Sequence, residues 1–185
     1  MRLLKYAILG LINRGAMTGY DLMKVFNREL VNFWYAKHSQ IYPELKKLTE
    51  EGLITYETVL QGEKMEKKLY SITEAGKKDF LNWLKKQNVL EPTPKDIFRL
   101  KAYFLESLSK EEILEQFEYQ LKQRQEKLKK LETTMLDHPF AESVVNVFSP
   151  EYGDYIVLKG AIMREQAHVG WLLDCIREIE SSTAM

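Results

Sequence analysis

The residues best suited to recognise another molecule lie in a short segment around position 40. Its polar members, which offer hydroxyl, amide and ammonium groups, are Ser39, Gln40, Tyr42, Lys46 and Lys47. Ile41, Leu45 and Leu48 recur at helical spacing, which places those polar residues off the apolar stripe. A helix that enters the major groove of DNA needs base-edge readers at its N-terminal end and cations beside them. The segment therefore predicts a recognition helix, and a merely solvated helix face is the alternative.

A basic hairpin is predicted directly after this helix. Residues 53–60 and 67–73 are rich in β-branched side chains, so they predict two antiparallel strands joined by a loop. Lys64 lies in the loop and Lys67 begins the returning strand. Lysines beside a recognition helix typically contact phosphates or the minor groove. We therefore expect both lysines to bind DNA.

Two more helices are predicted before the polar segment, at residues 4–12 and 19–30. The first is expected to be a helix rather than a signal peptide, because no small-residue cleavage site follows it. Gly15 is expected to end it in the left-handed conformation. Thr18 and Asp21 predict a variant capping box for the second helix. Three short helices followed by a hairpin predict a winged helix-turn-helix.

The second half of the chain is predicted to form long helices after a proline-containing linker at residues 87–94. Ser109 and Ser149 are expected N-caps, the first within a capping box and the second followed by proline. The last helix repeats apolar residues in alternating steps of three and four, interrupted only by Glu165. This apolar seam consists of Leu158, Ile162, Val169, Leu172, Ile176 and Ile179. A seam this regular predicts homodimerisation through those residues, and a helical hairpin packed within one chain is the alternative.

Composition narrows the class of protein. The 185 residues carry 27 basic and 27 acidic side chains. Residues 1–90 have a net charge of +5 and residues 91–185 a net charge of −5. This asymmetry suggests that the two halves have different functions. A single Cys indicates a reducing compartment, so we expect a cytoplasmic protein. No apolar run approaches the ~20 residues of a membrane helix. The three His and the Cys are scattered, and catalytic motifs are missing, so neither an enzyme nor a cofactor or metal is expected.

Four motifs together resemble the PadR family of transcriptional regulators. They are Leu4-Lys-Tyr-Ala-Ile-Leu-Gly-Leu11, Thr18-Gly-Tyr-Asp-Leu22, His38-Ser-Gln-Ile-Tyr-Pro-Glu-Leu-Lys-Lys-Leu48 and Lys67-Lys-Leu-Tyr-Ser-Ile-Thr-Glu-Ala-Gly76. Further along the chain, Leu100-Lys-Ala-Tyr-Phe104, Ser149-Pro-Glu-Tyr-Gly153 and Arg164-Glu165 resemble the long-tailed members that respond to phenolic acids. The resemblance spans nearly the whole chain and is weakest at residues 132–148.

The resemblance implies a mainly α-helical protein with a small β-hairpin. Such a protein would have a winged helix-turn-helix DNA-binding domain at residues 1–88 and a helical dimerisation and effector domain at residues 93–181. It further implies a homodimeric repressor on a double-stranded DNA operator of ATGT/ACAT inverted-repeat type. A small phenolic acid similar to p-coumarate would release it and derepress phenolic acid decarboxylase. By position, Lys5, Lys46 and Lys47 would contact phosphates.

The effector site is predicted from aromatic side chains that could enclose a flat phenolic acid. The candidates are Phe33, Trp34, Phe148, Tyr152 and Tyr155. For Phe33 and Trp34, core packing is the competing interpretation. Two other functions stay open: a regulator of the same family with a different or no small-molecule effector, and a dimeric adaptor that has kept the fold without the DNA role.

Overall fold

The chain forms two compact units, Met1–Val89 and Leu90–Met185. A computed structural model describes residues 2–28, 30–32, 34, 37–61, 65–137 and 146–182. Within these residues, no helix is both long and apolar enough to span a membrane.

The N-terminal unit is a winged helix. Its helices are α1 (Leu3–Arg14), α2 (Gly19–Arg28), α3 (His38–Glu50) and α4 (Glu74–Leu84), with a short 3-10 turn at Leu30–Asn32. Its strands are β1 (Met17–Thr18), β2 (Ile54–Gln61) and β3 (Met65–Ile72), which form an antiparallel sheet in the order β1-β3-β2. The predicted fold class, mainly helical with a small hairpin, is confirmed.

One apolar core joins the four helices to the sheet. The apolar stripe of α3 is fully buried at Ile41, Leu45 and Leu48, as the helical spacing predicts. These residues meet Ile8 and Leu22 from α1 and α2 in the same cluster. Because one face of α3 is committed to the core, its polar residues necessarily face outward.

Two features of the connections differ from the sequence-based prediction. Gly15 has φ 172°, which is extended backbone, so the predicted left-handed turn is wrong. The chain instead runs on into β1, where Thr18 pairs with Leu69 of β3. The sequence did not predict β1, because a strand of two residues is too short to show an alternating pattern. Among the glycines that the structure describes, the left-handed one is Gly52, with φ 69°, at the turn between α3 and β2.

Thr73 joins the wing to α4. Its hydroxyl oxygen accepts a hydrogen bond from the Gly76 N–H at 3.1 Å, and its O–H donates a shared hydrogen bond to the carbonyl oxygens of Gly52 and Leu53, at 2.8 and 3.0 Å. The side chain thus caps a helix and ties it to the turn that precedes β2.

We expect Thr73→Ala to lower the free energy of unfolding by about 1–2 kcal/mol, because the cap and the tie are lost together. Urea unfolding followed by tryptophan fluorescence measures this change. Thr73→Ser keeps the hydroxyl and serves as the matched control, with nearly wild-type stability. Equal losses in both variants would show that the methyl group, and not the cap, matters.

The C-terminal unit is built on a hairpin of two long helices. Helix α5 (Ile97–Ala102) and a 3-10 turn at Leu105–Ser107 precede α6 (Lys110–Leu136) and α7 (Pro150–Ser181). The predicted N-caps are confirmed: Ser109 accepts from the Glu112 N–H within a capping box, and Ser149 accepts from the Tyr152 N–H.

The apolar seam of α7 packs against α6 of the same chain. Leu158, Leu172 and Ile176 are only 8%, 1% and 9% exposed, in clusters that include Phe117 and Leu131 of α6. Side chains buried this fully serve the contact with α6 and have little surface left for a second chain. Their role in the contact between subunits stays a prediction. The other seam residues, Ile162, Val169 and Ile179, are half-buried.

Glu165 is buried in the middle of this seam. Its carboxylate lies 2.9 Å from a guanidinium nitrogen of Arg124 and 2.6 Å from Nζ of Lys127, both on α6. Burial alone would raise the pKa of Glu165, but the bonds from Lys127 and Arg124 outweigh burial and hold that pKa below its ordinary value. The interruption of the seam is therefore a paired charge inside the hairpin.

Candidate nucleic-acid interface

The outward face of α3 presents the polar residues that the sequence singles out. Ser39, Gln40, Lys46 and Lys47 are exposed, and the Tyr42 side chain is 52% exposed. Lys46 lies 3.9 Å from Glu50 one turn further on, a weak pairing between two exposed groups. The N-terminal end of α3 thus carries hydrogen-bonding groups, with cations one turn later.

Gln40 also has a structural task at the start of α3. The side-chain oxygen of Gln40 accepts a hydrogen bond from the backbone N–H of Lys37 at 3.2 Å. The backbone N–H of Gln40 donates to the Lys37 carbonyl oxygen at 2.9 Å. Lys37 has no acceptor in its side chain, so Gln40 supplies the cap. The carbonyl end of the Gln40 amide therefore serves the helix, and the NH₂ end, a pure donor, is the part suited to a base edge.

A groove of ≈ 950 Å³ separates α3 from the sheet. Its lining includes three exposed tyrosines, Tyr20 from α2, Tyr42 from α3 and Tyr56 from β2. The charged residues that line it are Lys46, Lys67, Lys68, Glu50 and Glu66. The groove thus combines aromatic faces with ammonium groups along one side of the N-terminal unit.

Tyrosine rings hold three lysines in place, of which Lys67 and Lys68 line the groove. The Tyr20 ring centroid lies 4.5 Å from Nζ of Lys24 and 5.4 Å from Nζ of Lys67, and Nζ of Lys68 lies 4.0 Å from the Tyr56 ring. Cation–π contacts of this kind stabilise an ammonium group over an aromatic face. Lys67 is therefore oriented by α2 as well as by its own strand.

Thr18 and Asp21 fix the start of α2 beside the groove. The Thr18 hydroxyl donates to Asp21 Oδ2 at 2.7 Å, and the Asp21 N–H donates to the Thr18 hydroxyl oxygen at 3.2 Å. The predicted capping box is confirmed. The hydrogen bond from Thr18 lowers the pKa of Asp21, which therefore stays ionised near the lysines.

Lys5 lies on α1 and is paired within the fold. Its Nζ is 2.6 Å from Asp79 Oδ2, and its side chain is mostly buried. It does not line the groove. Because a carboxylate already neutralises its charge, Lys5 contributes less to a phosphate-binding surface than Lys46 or Lys47. Its role as a phosphate contact stays a prediction.

Several predicted residues cannot be placed in the groove. Lys64 of the wing and Phe33 of the expected effector site lie outside the described residues. Trp34 packs against the core of the N-terminal unit, with its ring 5.8 Å from that of Phe26, which supports the core-packing interpretation. In the C-terminal unit, Phe148 is exposed and the rings of Tyr152 and Tyr155 lie 6.3 Å apart.

Sequence reasoning missed two residues that line the groove, Tyr20 and Tyr56. Tyr20 follows Gly19 in the motif that was assigned only a capping function, so its position beside two lysines had no local signal. Tyr56 shares a strand face with the buried Ile54, so the period-2 pattern alone would have placed Tyr56 inside. Within the described part of the chain, no group of three His, Cys, Asp or Glu side chains could hold a metal ion.

The arrangement can bind a polyanion with a regular surface. Hydrogen-bond donors project from the first turn of an exposed helix, and lysines flank them on the next turn and on the hairpin. A helix and hairpin arranged in this way can place base contacts in the major groove of DNA and phosphate contacts beside it.

Comparisons with known proteins extend over nearly the whole chain. Residues 8–82 match the Transcriptional regulator PadR-like family, and residues 94–180 match the Virulence activator alpha C-term family. The Negative transcriptional regulator PadR of Bacillus subtilis (strain 168) is 46% identical over 180 residues, which span 97% of this chain and 99% of that relative.

Solved structures show the same similarity. Bacillus subtilis PadR in complex with operator DNA has a TM-score of 0.90 and 47% identity, covering 96% of this chain and 99% of that chain. Bacillus subtilis PadR in complex with p-coumaric acid has a TM-score of 0.85 and 43% identity, covering 97% and 100%. The Vibrio cholerae virulence activator AphA has a TM-score of 0.74 and 26% identity, covering 96% and 98%. The winged helix, its groove and this similarity together establish that the chain belongs to the PadR family of transcriptional regulators.

Proposed function

We propose that this protein is a homodimeric repressor that binds an inverted-repeat operator and is released by a small phenolic acid, which derepresses phenolic acid decarboxylase. The observation that carries the proposal is the exposed polar end of α3 beside the lysine-bearing wing, in a chain that matches the operator-bound Bacillus subtilis protein along nearly its full length. The expected operator is built on ATGT and ACAT half-sites.

Binding combines two kinds of contact. Ser39, Gln40 and Tyr42 enter the major groove and read base edges, while Lys46, Lys47 and Lys67 neutralise phosphates on either side. Lys64 at the wing adds a phosphate or minor-groove contact. Phosphate contacts determine affinity and its dependence on salt, since each one releases counterions from the DNA. Base contacts determine which sequence is preferred.

A dimer accounts for the two-fold symmetry of the operator. Two recognition helices must lie about 34 Å apart to enter successive major grooves on one side of the duplex. The hairpin already buries most of the apolar seam, so the contact between chains needs other apolar surface. On α7, Ile156 and Met163 are exposed, and their helical spacing places them on the face opposite the seam. We propose this face as the dimer contact, together with the half-buried seam residues.

Met163→Glu tests that face. A charge in an apolar contact between chains is strongly unfavourable because it loses its hydration, so we expect sedimentation equilibrium to show a monomer where the wild type is a dimer. Circular dichroism should stay unchanged, because Met163 is exposed and outside the hairpin core. A Met163→Glu protein that remains dimeric would show that this face is not the contact.

The effector is proposed to be a phenolic acid similar to p-coumarate. Bacillus subtilis PadR, at 43% identity, has been solved with p-coumaric acid. Such a ligand is flat, apolar in the middle and anionic at one end, so it needs aromatic walls and a cation or N–H donors. The candidates remain Phe33, Trp34, Phe148, Tyr152 and Tyr155. To displace DNA, the ligand must bind the DNA-incompetent arrangement more tightly.

Fluorescence anisotropy on labelled duplexes tests the whole proposal. The inverted repeat should bind more tightly than a scrambled duplex, binding should weaken steeply with salt, and p-coumarate should release the repeat. Release by a different compound, or by none in a panel of phenolic acids, would favour a PadR-family regulator with another effector or without one. Absence of any salt-sensitive DNA binding would overturn the DNA-binding role.

A further inference from the structure

Gly19, the first residue of α2, lies directly under the Tyr42 ring. A Cβ atom at Gly19 would lie 2.7 Å from Tyr42 Cε1, 3.2 Å from Cζ and 3.3 Å from the phenolic oxygen. The first of these distances is well inside van der Waals contact. The ring therefore rests on the bare backbone of Gly19.

The backbone conformation at Gly19 does not itself require glycine. Among the described glycines, the positive φ belongs to Gly52, and Gly19 is part of a helix. Alanine is the better residue in a helix, by up to about fivefold in the local folding equilibrium. Local backbone conformation therefore does not explain the glycine at position 19. The close approach of the Tyr42 ring does.

The clash that alanine would create falls on a movable group. At Gly76, by contrast, a Cβ would lie 2.0 Å from the Leu53 carbonyl oxygen, so any side chain there would disturb the backbone. At Gly19 the obstructed atoms belong to the far end of an exposed tyrosine, which can rotate outward while the core stays intact. The fold therefore tolerates alanine at Gly19, while the Tyr42 ring does not keep its place.

We propose that Gly19 is a specificity-determining positioning residue: it seats the Tyr42 ring against α2, so that the ring projects at one angle from the recognition helix. The inference rests on the proposed function, in which Tyr42 reads base edges. It assigns to the Thr18-Gly-Tyr-Asp21 segment a second task besides capping. Seating an exposed aromatic ring in advance removes rotamer freedom that binding would otherwise have to restrict.

The test compares Gly19→Ala with Gly15→Ala, since a Cβ at Gly15 has nothing within 4 Å. We expect Gly19→Ala to reduce the ratio of affinities for the inverted repeat and a scrambled duplex by about tenfold, because each half of the dimer weakens its Tyr42 contact without losing it. Its affinity for the scrambled duplex and its thermal unfolding midpoint should not fall. Gly15→Ala should keep the wild-type ratio.

The same substitution in a Tyr42→Ala background completes a double-mutant cycle. If Gly19 acts through Tyr42, Gly19→Ala should cause no further loss once the ring is absent. Equal losses in both backgrounds, or an unchanged ratio in the single variant, would overturn the inference. Wild-type protein that shows no preference for the repeat would instead overturn the proposed function.

A readout without DNA separates the two failures further. In protein labelled with 3-fluorotyrosine, the ¹⁹F resonance that disappears in Tyr42→Phe reports the surroundings of this ring. Gly19→Ala should shift that resonance and Gly15→Ala should not. An unshifted resonance would mean that the ring does not rest on Gly19.

Discussion

Replacement of Tyr42 by alanine should remove most of the preference for the inverted repeat while leaving binding to scrambled DNA almost unchanged. A good base contact is worth about 1–3 kcal/mol of discrimination. A symmetric dimer carries Tyr42 twice, so we expect the ratio of the two affinities to fall by about a hundredfold or more. Fluorescence anisotropy with both duplexes at one salt concentration measures this ratio.

The structure favours Tyr42 for this test because the side chain has little to do in the core. It is 52% exposed and lies off the apolar stripe of Ile41, Leu45 and Leu48, which are fully buried. Truncation therefore removes a recognition group without creating a cavity. A wild-type thermal midpoint for Tyr42→Ala would confirm that folding is unaffected.

Lys67→Ala is the matched comparison, because its ammonium group lines the same groove. A phosphate contact carries no sequence information, so both duplexes should lose affinity equally and the slope of log affinity against log salt should fall by about one per contact. A Lys67→Ala protein that weakens only on the repeat, or a Tyr42→Ala protein that keeps its preference, would contradict this division of roles.

The second large effect is expected at Glu165, inside the helical hairpin. Glu165→Ala removes two charge-assisted bonds and leaves a cavity in the seam, so the free energy of unfolding should fall by about 2–4 kcal/mol. The value lies toward the lower end because Arg124 and Lys127, with side chains 27% and 49% exposed, can turn to water once Glu165 is gone.

Glu165→Leu distinguishes the charge from the volume at this position. Leucine continues the apolar seam and fills the space, and replacing a buried ion pair by packed apolar groups is often neutral. We therefore expect its stability in urea to stay within about 1 kcal/mol of wild type. If Leu destabilises as much as Ala, the ion pairs themselves hold the hairpin together.

The contribution of Glu165 should also depend on pH. Its pKa is held below the ordinary value in the folded protein, so the unfolded chain binds the proton first as the pH falls. The stabilisation is fully present above the unfolded pKa, close to 4.5, and is lost as the pH falls through the folded pKa. The difference in unfolding free energy between wild type and Glu165→Gln should thus be constant near pH 7 and shrink below about 4.5. A difference that grows on acidification would show that the pKa of Glu165 is raised in the folded protein, contrary to this prediction.

Much of the DNA-binding unit follows from local sequence patterns. Ile41, Leu45 and Leu48 recur with the helical period, and burying that stripe necessarily turns the polar end of α3 outward. Ser109 and Ser149 predict where α6 and α7 begin, because capping depends only on residues three positions apart. The seam of α7 likewise predicts one continuous buried face.

Only the tertiary structure shows which elements pack against one another. The seven-residue repeat of α7 is equally compatible with a second chain or with α6, and its packing against α6 involves residues as distant as Arg124 and Glu165. The position of Tyr42 on Gly19 and of Lys67 beside Tyr20 likewise joins residues from different elements. Periodicity and capping express the conformational preferences of one segment, whereas such contacts depend on how segments pack in three dimensions, which no single segment encodes.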